Sequence, residues 1–529
     1  MLRPNPTVEG GPAPARDVVV GVGRSSTANL VGSAVMATTT FLLTLVVTRG
    51  LSTEQAGLFF SATSVFVLTT SLGQLGTNTA LVYFLARSRS LATTERIRHY
   101  VRVAVRPVVV TGIVAGAGLF VFAEPVARIV TPGQVDGTAS SLRVLALFIP
   151  LAGYENVILA ASRGLGVMRP SVMVEQVGRS VVQLTLVAAA IWLSGSRFLG
   201  LAWVVAYLPA AVWAGVWYRA ISSRRAHGSG SRVEVDPREL RREFWRFSGP
   251  RALASVGQVT MQRLDILLVA AISGPVAAAV YTAATRFVVV GQMINRAIST
   301  AVQPRLSEAL ARRDIVTTNL LYRVSTGWLM LLTWPLYLSL IIYGERLLGI
   351  FGKGYQAGSV VLLLLASSML LATACGMVDM VLNMGGRTSW NLANVTLALT
   401  VNLGLDLWLI PGHGIVGAAI GWAAAIAVSN LAALSQVALI LRLHPFGSST
   451  LLAVALPVVC FTGLPLLVRA ALGDGLRGFV VGVGVSLVSY AALLFVWRRP
   501  LELKQLVMAR RKPQAPDAAR RVGGRHRAP

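Results

Sequence analysis

The stretch from Trp390 to Leu441 reads WNLANVTLALTVNLGLDLWLIPGHGIVGAAIGWAAAIAVSNLAALSQVALIL. It contains two apolar segments, 390–410 and 415–441, joined by the turn-forming sequence Pro-Gly-His-Gly. A helix needs about 20 mostly apolar residues to cross a bilayer, and each segment is long enough. Asp406 is the only charged residue in the whole stretch. The pattern therefore predicts two consecutive transmembrane helices.

The same pattern recurs along the whole chain of 529 residues, of which 54% are hydrophobic and 13% are charged. Soluble domains carry about 25% charged residues, so this composition excludes a soluble enzyme. We predict an all-α polytopic membrane protein with about fourteen transmembrane helices. The predicted spans are 28–47, 56–85, 101–122, 142–165, 171–193, 199–218, 247–272, 276–302, 321–342, 357–384, 390–410, 415–441, 451–471 and 476–497.

The basic residues are distributed unevenly over the predicted loops. The chain has 48 Lys plus Arg against 21 Asp plus Glu, a net charge of +27. When basic residues near the ends of spans are counted with the adjacent loop, 36 of the 48 lie on one side of the membrane and 8 on the other, and 4 lie deep inside helices. Because positively charged loops stay in the cytoplasm, we predict that both termini are cytoplasmic. The charge is thus explained by topology, and nucleic acid is not an expected partner.

A weak internal repeat organises the spans. A shift of 221 residues places Ala56 on Ala277, Phe60 on Tyr281 and Phe66 on Phe287. Repeated halves with a site between them are a transporter architecture. We predict two six-helix lobes followed by two further helices. The predicted divisions are a disordered cytoplasmic tail (1–27), an N-lobe (28–219), an Arg-rich cytoplasmic linker (220–246), a C-lobe (247–442), two helices (443–498) and a basic cytoplasmic tail (499–529).

Several short motifs follow one another in the second half of the chain. They are Phe247-Ser-Gly-Pro250, Gln303-Pro-Arg-Leu-Ser307, Phe351-Gly-Lys-Gly-Tyr355, Asn383-Met-Gly-Gly-Arg387 and Ile410-Pro-Gly-His-Gly-Ile-Val-Gly-Ala-Ala419. In their order and spacing they resemble the polysaccharide-exporter branch of the multidrug/oligosaccharidyl-lipid/polysaccharide flippase superfamily, which includes the multidrug exporters known as MATE. The similarity extends from about Ser26 to Trp497.

This resemblance implies a multi-pass protein of the bacterial inner membrane that flips or exports a glycan by alternating access. It further implies a substrate linked to a polyprenyl pyrophosphate, with the headgroup in a cavity between the lobes. The lipid bilayer and polysaccharide assembly proteins are the other implied partners. Residue composition and periodicity do not themselves indicate this substrate.

Ionisable residues inside the predicted spans are candidates for function, because a charge at membrane depth is costly unless it is paired or faces a cavity. Polar residues of the seventh and eighth predicted helices form a stripe that would suit a pyrophosphate, since arginine binds phosphate oxygens in bidentate fashion. The stripe consists of Arg263, Arg286, Arg296, Gln258, Gln262 and Gln292. Arg296 could equally extend to the lipid headgroups.

Acidic and amide residues give a second group of candidates, for coupling to an ion: Glu155, Asp265, Asp379 and Asn383. Asp379 precedes Asn383 by four residues, so the two share one helix face that suits Na⁺ or a proton relay. Hydrogen bonding between helices is the other use of such a pair.

For three acidic residues the sequence also suggests a hydrogen-bond or ion-pair partner. Asn402 and Asp406 share a helix face in the same way, and Asp406, near the outer end of its helix, could simply be solvated. Asp265 would pair most simply with Arg286 on the neighbouring helix. Glu175 and Arg179 are four residues apart and predict a structural ion pair within one helix.

Other classes of protein fit the sequence less well. No HExxH, CxxC or Walker pattern is present, and the chain has two cysteines, so we expect no enzyme, no metal and no cofactor. A membrane-embedded glycosyltransferase or polymerase should have catalytic carboxylates in a large outer loop, and the predicted outer loops are short. A cation-coupled multidrug exporter and a flippase for the peptidoglycan precursor lipid II remain alternatives within the same superfamily.

Overall fold

The computed structural model describes residues 15–90, 94–195, 198–226, 236–312 and 314–497, and all regular structure in these ranges is helical. The first half comprises α1 (Ala15–Gly50), α2 (Thr53–Gly73), α3 (Thr77–Ser90), α4 (Thr94–Val121), α5 (Ala123–Val130), α6 (Val135–Ala146), α7 (Ile149–Gly164), a π-helical segment (Ser171–Arg179), α8 (Ser180–Ser194), α9 (Leu199–Val204) and α10 (Tyr207–Ala226).

The second half begins with the longest uninterrupted helices. It comprises α11 (Pro237–Ser273), α12 (Pro275–Ala311), α13 (Ile315–Leu348), a 3₁₀ turn (Lys353–Gly358), α14 (Ser359–Cys375), α15 (Val378–Met384), α16 (Thr388–Ile440), α17 (Ser448–Val458), a π-helical turn (Val459–Gly463), α18 (Leu464–Leu472) and α19 (Leu476–Val496).

Several boundaries differ from the predicted ones. The predicted span 357–384 is divided into α14 and α15 at Gly376, whose φ is 76°, and the predicted span 142–165 begins in α6 and continues in α7 after a 44° bend. Residues 15–27, predicted to be part of a disordered tail, belong to α1. The predicted span 56–85 is two helices, because Leu75 and Gly76 adopt positive φ angles of 51° and 68° and break it. The predicted linker 220–246 is helical at both ends, in α10 and α11. Residues 1–14 and the predicted basic tail 499–529 lie outside the described ranges.

The 53-residue helix α16 contains the stretch that first indicated the fold, and it folds back on itself. Gly414 has non-helical angles (φ 54°, ψ −132°) that reverse the chain. Two hydrogen bonds of 2.8 Å join the side-chain amides of Asn394 and Gln436, which are 42 residues apart. The two halves are therefore antiparallel helices, as the sequence predicted.

Twelve helices in the described ranges are long and apolar enough to cross a membrane, and the bent pair α6–α7 makes a thirteenth span. With α16 divided at Gly414, the chain has about fourteen crossings. Backbone groups in hydrocarbon must be satisfied internally, so a purely helical core is the expected solution. The predicted fold class is confirmed.

The helices pack as two lobes and an appendage. We call α1–α10 the N-lobe and α11–α16 the C-lobe; each set packs largely within itself, except that α2 packs most extensively on α11 and α12. Helices α17–α19 pack against α13, where the Tyr490 hydroxyl donates a 2.6 Å hydrogen bond to the Leu331 carbonyl.

The lobes meet at the end of the bundle that holds Gly50, Gly274 and Lys353, here called the arginine-poor end. Gly57 of α2 lies so close to Pro275 of α12 that a β-carbon at residue 57 would be 1.8 Å from the Pro275 carbonyl oxygen. Beside it, the Arg49 guanidinium donates 2.6 Å and 3.2 Å hydrogen bonds to the carbonyls of Ile350 and Gly349.

The lobes also meet at the opposite, arginine-rich end, where α3 and α4 contact the start of α11. The rings of Tyr83 and Phe247 stack with centroids 4.5 Å apart. Ser248 donates a 2.7 Å hydrogen bond to the Leu75 carbonyl at the break between α2 and α3. Glu243 of α11 accepts hydrogen bonds from Arg87 (3.2 Å) and the Tyr100 hydroxyl (2.9 Å). Helix α11 thus connects the two lobes.

The contact between Gly57 and Pro275 yields a prediction about lobe movement. A Gly57→Ala change adds a methyl group where there is no room, so the arginine-poor ends of the lobes should move apart. Gly118→Ala is the matched control, because a β-carbon at Gly118 meets nothing within 4 Å.

The measurement is the distance between spin labels on cysteines that replace the exposed residues Asp136 and Lys353, one on each lobe. The native cysteines, Cys375 and Cys460, are buried. We expect longer distances in Gly57→Ala alone. An unchanged distribution, or the same shift in Gly118→Ala, would contradict the prediction.

Candidate functional site

A cavity of about 340 Å³ lies between the N-lobe and helices α11 and α12. Arg179, Arg263 and Arg286 all line it, and we call it the arginine cavity. Gln183, Asn156 and the rings of Trp203 and Tyr207 complete much of its wall.

Arg263 and Arg286 lie at the same depth. Arg263 is eleven residues before Gly274, and Arg286 is eleven residues after Pro275, on two antiparallel helices joined at that turn. Among the described residues neither guanidinium has a carboxylate partner, and the buried Nε of Arg286 has no hydrogen-bond acceptor. Two unneutralised guanidinium groups in one cavity form a site for an anion.

Arg179 is held by a buried ion pair with Glu155. Its Nη1 donates a 3.2 Å bond to the Glu155 carboxylate, which is fully buried, and its guanidinium lies 4.6 Å from the centre of the Tyr207 ring. The predicted pair of Glu175 with Arg179 is therefore wrong, since Glu175 instead pairs with Arg163 at 3.6 Å. The cause is local, because residues 171–179 form a π-helix with i→i+5 bonding, which changes the relative directions of these side chains.

A second cavity, of about 630 Å³, lies within the C-lobe. Gln258, Gln262, Gln292, Arg296 and Asp379 line it, and Asn295, Asn391 and Asn430 add three further amides. We call it the amide cavity.

The polar stripe predicted along the seventh and eighth helices is thus divided between two cavities. With about 100° per residue, Gln262 and Gln258 lie about 100° and about 140° around α11 from Arg263. On α12, Gln292 and Arg296 lie about 120° and about 80° around the helix from Arg286. The two helices form a wall shared by both cavities.

The predicted pairing of Asp265 with Arg286 is also wrong. Asp265 is buried and accepts a 3.0 Å hydrogen bond from the Tyr281 hydroxyl of α12. Its carboxyl group lies close to Asp406 and Asn402 on α16. Asp265 is thus hydrogen-bonded through one oxygen to Tyr281, and Arg286 has no carboxylate partner among the described residues.

Asp406 is fully buried, which overturns the expectation that it could be solvated. Asn402 donates a 3.0 Å hydrogen bond to it, as their spacing suggested. A β-carbon at Gly421 would be 2.2 Å from the Asp406 Oδ1, so this glycine makes room for the carboxyl group. The outer oxygen atoms (Oδ1) of both Asp265 and Asp406 lack a hydrogen-bond partner among the described residues.

Two adjacent buried carboxyl groups cannot both be ionised unless a cation lies between them. A proton or a bound cation would relieve this repulsion, which makes the group a candidate site for either. The sequence did not indicate that Asp265 lies near the Asn402–Asp406 pair, nor that Tyr281 belongs to the group. The one available signal for Tyr281 was the internal repeat, in which Phe60, without a hydroxyl, takes its place. Asp379 and Asn383 are not part of the group, since Asp379 lines the amide cavity and Asn383 accepts a 3.3 Å bond from Asn391.

Comparison with known proteins gives two family matches. The family model described as polysaccharide biosynthesis protein matches residues 22–310, more than half of the chain. The MatE model matches residues 250–408.

Among curated proteins, the chain is similar to the probable low-salt glycan biosynthesis flippase Agl15 of Haloferax volcanii. The two are 22% identical over 191 residues, which are 36% of this chain and 40% of that protein. The match thus spans well under half of the relative's length.

Solved structures share the fold. The lipid II flippase MurJ in an inward closed conformation superposes with a TM-score of 0.68 at 13% identity, covering 90% of this chain and 98% of that one. An inward-facing multidrug resistance transporter of the MATE family gives a TM-score of 0.60 at 16% identity, covering 75% and 93%. These likenesses are to transporters rather than to enzymes.

The buried ion pair predicts a large loss of stability on its disruption. Glu155→Ala leaves the Arg179 charge without its partner, and such changes cost about 3–5 kcal/mol. We expect a marked fall in the thermal denaturation midpoint in detergent, largely reversed when Arg179→Leu is added. Glu175→Ala is the control, because its pair with Arg163 is over a quarter exposed and contributes about 1 kcal/mol or less. Equal losses in Glu155→Ala and Glu175→Ala would contradict this view of the pair.

Proposed function

We infer that this chain, which belongs to the polysaccharide biosynthesis protein family, is a transporter of the multidrug/oligosaccharidyl-lipid/polysaccharide flippase superfamily that flips a lipid-linked oligosaccharide or polysaccharide precursor across the bilayer. The observation that carries this proposal is the arrangement of Arg263 and Arg286. They lie at one depth, in one cavity, with no carboxylate partner among the described residues.

A diphosphate is the anion that this arrangement suits best. Each guanidinium can donate two parallel hydrogen bonds to phosphate oxygens and remains charged at physiological pH. Arg179 adds a third guanidinium, whose Nε has no hydrogen-bond acceptor among the described residues. A polyprenyl diphosphate carrying a glycan would place its two phosphates among these three residues.

Movement of the lobes would carry the substrate across. Contacts between the lobes occur at both ends, through Gly57 and Arg49 at the arginine-poor end and through α11 at the arginine-rich end. Alternating access requires these contacts to open one end at a time. By the positive-inside rule, we propose that the arginine-rich end and both termini face the cytoplasm of a bacterial cell.

The buried group of Asp265, Tyr281, Asn402 and Asp406 is our proposed coupling site. Its two carboxyl groups need a proton or a cation, and its hydroxyl and amide complete a set of oxygen atoms. The group links α11 and α12 to the first half of α16, so occupation would stabilise one arrangement of the C-lobe. A gradient of the bound ion would then bias the lobes toward one state.

A multidrug exporter is the second candidate, favoured by the MatE match to residues 250–408. Export of cationic compounds calls for acidic cavity walls, whereas three arginines line the arginine cavity. A lipid II flippase would use the same diphosphate chemistry as the proposed substrate. Depletion of the protein in its own cell distinguishes these functions, because a drug exporter changes drug sensitivity and a flippase causes its lipid-linked precursor to accumulate in the cytoplasmic leaflet.

Loss of either cavity arginine should impair flipping. Removal of a charge-assisted contact worth about 1.5–3 kcal/mol lowers a rate by about ten- to hundredfold. We expect this loss for Arg263→Ala and Arg286→Ala in proteoliposomes that contain polyprenyl-diphosphate-linked glycan, with a smaller loss for the Lys variants. Arg128→Ala, which removes an exposed arginine of α5 outside both cavities, is the control. Full activity in both Ala variants would refute the assigned role.

Loss of either coupling carboxyl should abolish the response to an ion gradient. Asp265→Asn and Asp406→Asn keep hydrogen-bonding groups but remove the ionisable site. We expect flipping that no longer accelerates under a Na⁺ or pH gradient, with exchange in the absence of a gradient retained. Gly421→Ala should also abolish the response to the gradient, because the added methyl group would displace the Asp406 carboxyl group. Gly404→Ala is the control, because a β-carbon at Gly404 meets nothing within 4 Å. Undiminished gradient stimulation in the Asn variants would exclude this site.

A further inference from the structure

We propose that the amide cavity binds the glycan part of the substrate, and that the sugars it accepts are uncharged. This proposal rests on the proposed function, in which the arginine cavity holds the diphosphate. In this proposal, hydrogen bonds between the C-lobe and the sugar hydroxyls determine which glycans the protein accepts.

The lining of the amide cavity has the hydrogen-bonding character that hydroxyl groups require. Its six amide side chains are Gln258, Gln262, Gln292, Asn295, Asn391 and Asn430. Each amide offers two donor hydrogens and an acceptor oxygen, and a hydroxyl is likewise both donor and acceptor. A phosphate or carboxylate has only acceptors, so it would leave the amide oxygens of such a wall unmatched.

Some of the hydrogen-bonding groups of these amide side chains have no partner among the described residues. The Asn391 amide nitrogen donates to Asn383, but its buried Oδ1 has no hydrogen-bond partner among the described residues. Gln258 and Gln262 are exposed to the cavity. A buried acceptor without a partner is unfavourable, and a ligand hydroxyl would supply the missing hydrogen bond.

The charges of the two cavities differ in the way that the proposal requires. The amide cavity has one arginine, Arg296, and one carboxylate, Asp379, so its formal charge is zero. The arginine cavity has three guanidinium groups against the single carboxylate of Glu155. A cavity of zero formal charge offers an acidic sugar no net attraction, whereas a neutral sugar can donate hydrogen bonds to Asp379 and accept them from Arg296.

The shape and position of the amide cavity also suit a short glycan. Its 630 Å³ lies in the ~300–1,000 Å³ range of small-ligand sites. Trp422 contributes an aromatic surface to the lining, against which the apolar face of a sugar ring can pack. Gln262 and Arg263 are consecutive on α11 and line different cavities, so a glycan joined to a diphosphate can extend around the helix from one cavity into the other.

The test compares three probes bound to the full-length protein in detergent by native mass spectrometry. They are undecaprenyl diphosphate alone, the same carrier with a neutral trihexose, and the same carrier with a trisaccharide ending in a uronic acid. The wild-type protein should bind the neutral glycolipid at least about tenfold more tightly than the bare carrier. The acidic glycolipid should gain little over the bare carrier.

Variants separate the two cavities. Gln292→Ala and Asn391→Ala should each reduce the gain from the neutral glycan by about two- to tenfold, the value of one or two hydrogen bonds, while binding of the bare carrier stays unchanged. Gln183→Ala, which removes an amide of the arginine cavity, should leave the gain intact. Arg263→Ala should weaken binding of all three probes.

Two results would overturn the proposal while leaving the proposed function in place. One is equal binding of the bare and neutral carriers by the wild-type protein, and the other is preferential binding of the acidic glycolipid. Failure of all three probes to bind would instead refute the proposed function, and this proposal with it.

Discussion

The cost of a charge in hydrocarbon governs this structure. A few kcal/mol or more separates a buried unpaired charge from a paired or hydrated one, so each ionisable side chain inside the bundle must have a specific reason to be there. Glu155 satisfies the requirement by pairing with Arg179, and Asp265 accepts a hydrogen bond from Tyr281. Arg263 and Arg286 satisfy it only by facing a cavity. The sorting of these residues into paired and unpaired groups is what distinguishes the supporting structure from the binding surface.

Helices α11 and α12 contribute to both cavities, to the buried carboxyl group and to the contacts between the lobes. Helices α11 and α12 supply two arginines to one cavity and three glutamines to the other, and they hold Asp265 and Tyr281 between them. Their shared turn at Gly274 lies against the N-lobe, and the far end of α11 contacts α3 and α4. The proposed substrate site, the proposed coupling site and the contacts between the lobes therefore all involve one helical hairpin.

The sequence was sufficient for features that depend on apolar length and charge distribution. The transmembrane spans and the reversal in α16 near Pro411 follow from apolar segments of about twenty residues separated by turn residues. It was insufficient where geometry depends on a single backbone irregularity. The positive φ of Leu75 divides one predicted helix, and the π-helix at 171–179 gives Glu175 and Arg179 different partners. Nor could spacing along the chain show that Asp265 meets Asp406, 141 residues away, because that contact depends on how α11 packs against α16.

The shared wall has a thermodynamic consequence. Any tilt of α11 and α12 changes the volumes of both cavities, so the free energies of occupying them cannot be independent. Thermodynamic linkage then makes the effect mutual. If a ligand in the first cavity changes the affinity of the second by some factor, a ligand in the second changes the affinity of the first by the same factor. For a substrate with groups in both cavities, binding of one group would change the affinity for the other group. A fragment that fills only one cavity would change the affinity of the other cavity for its ligand.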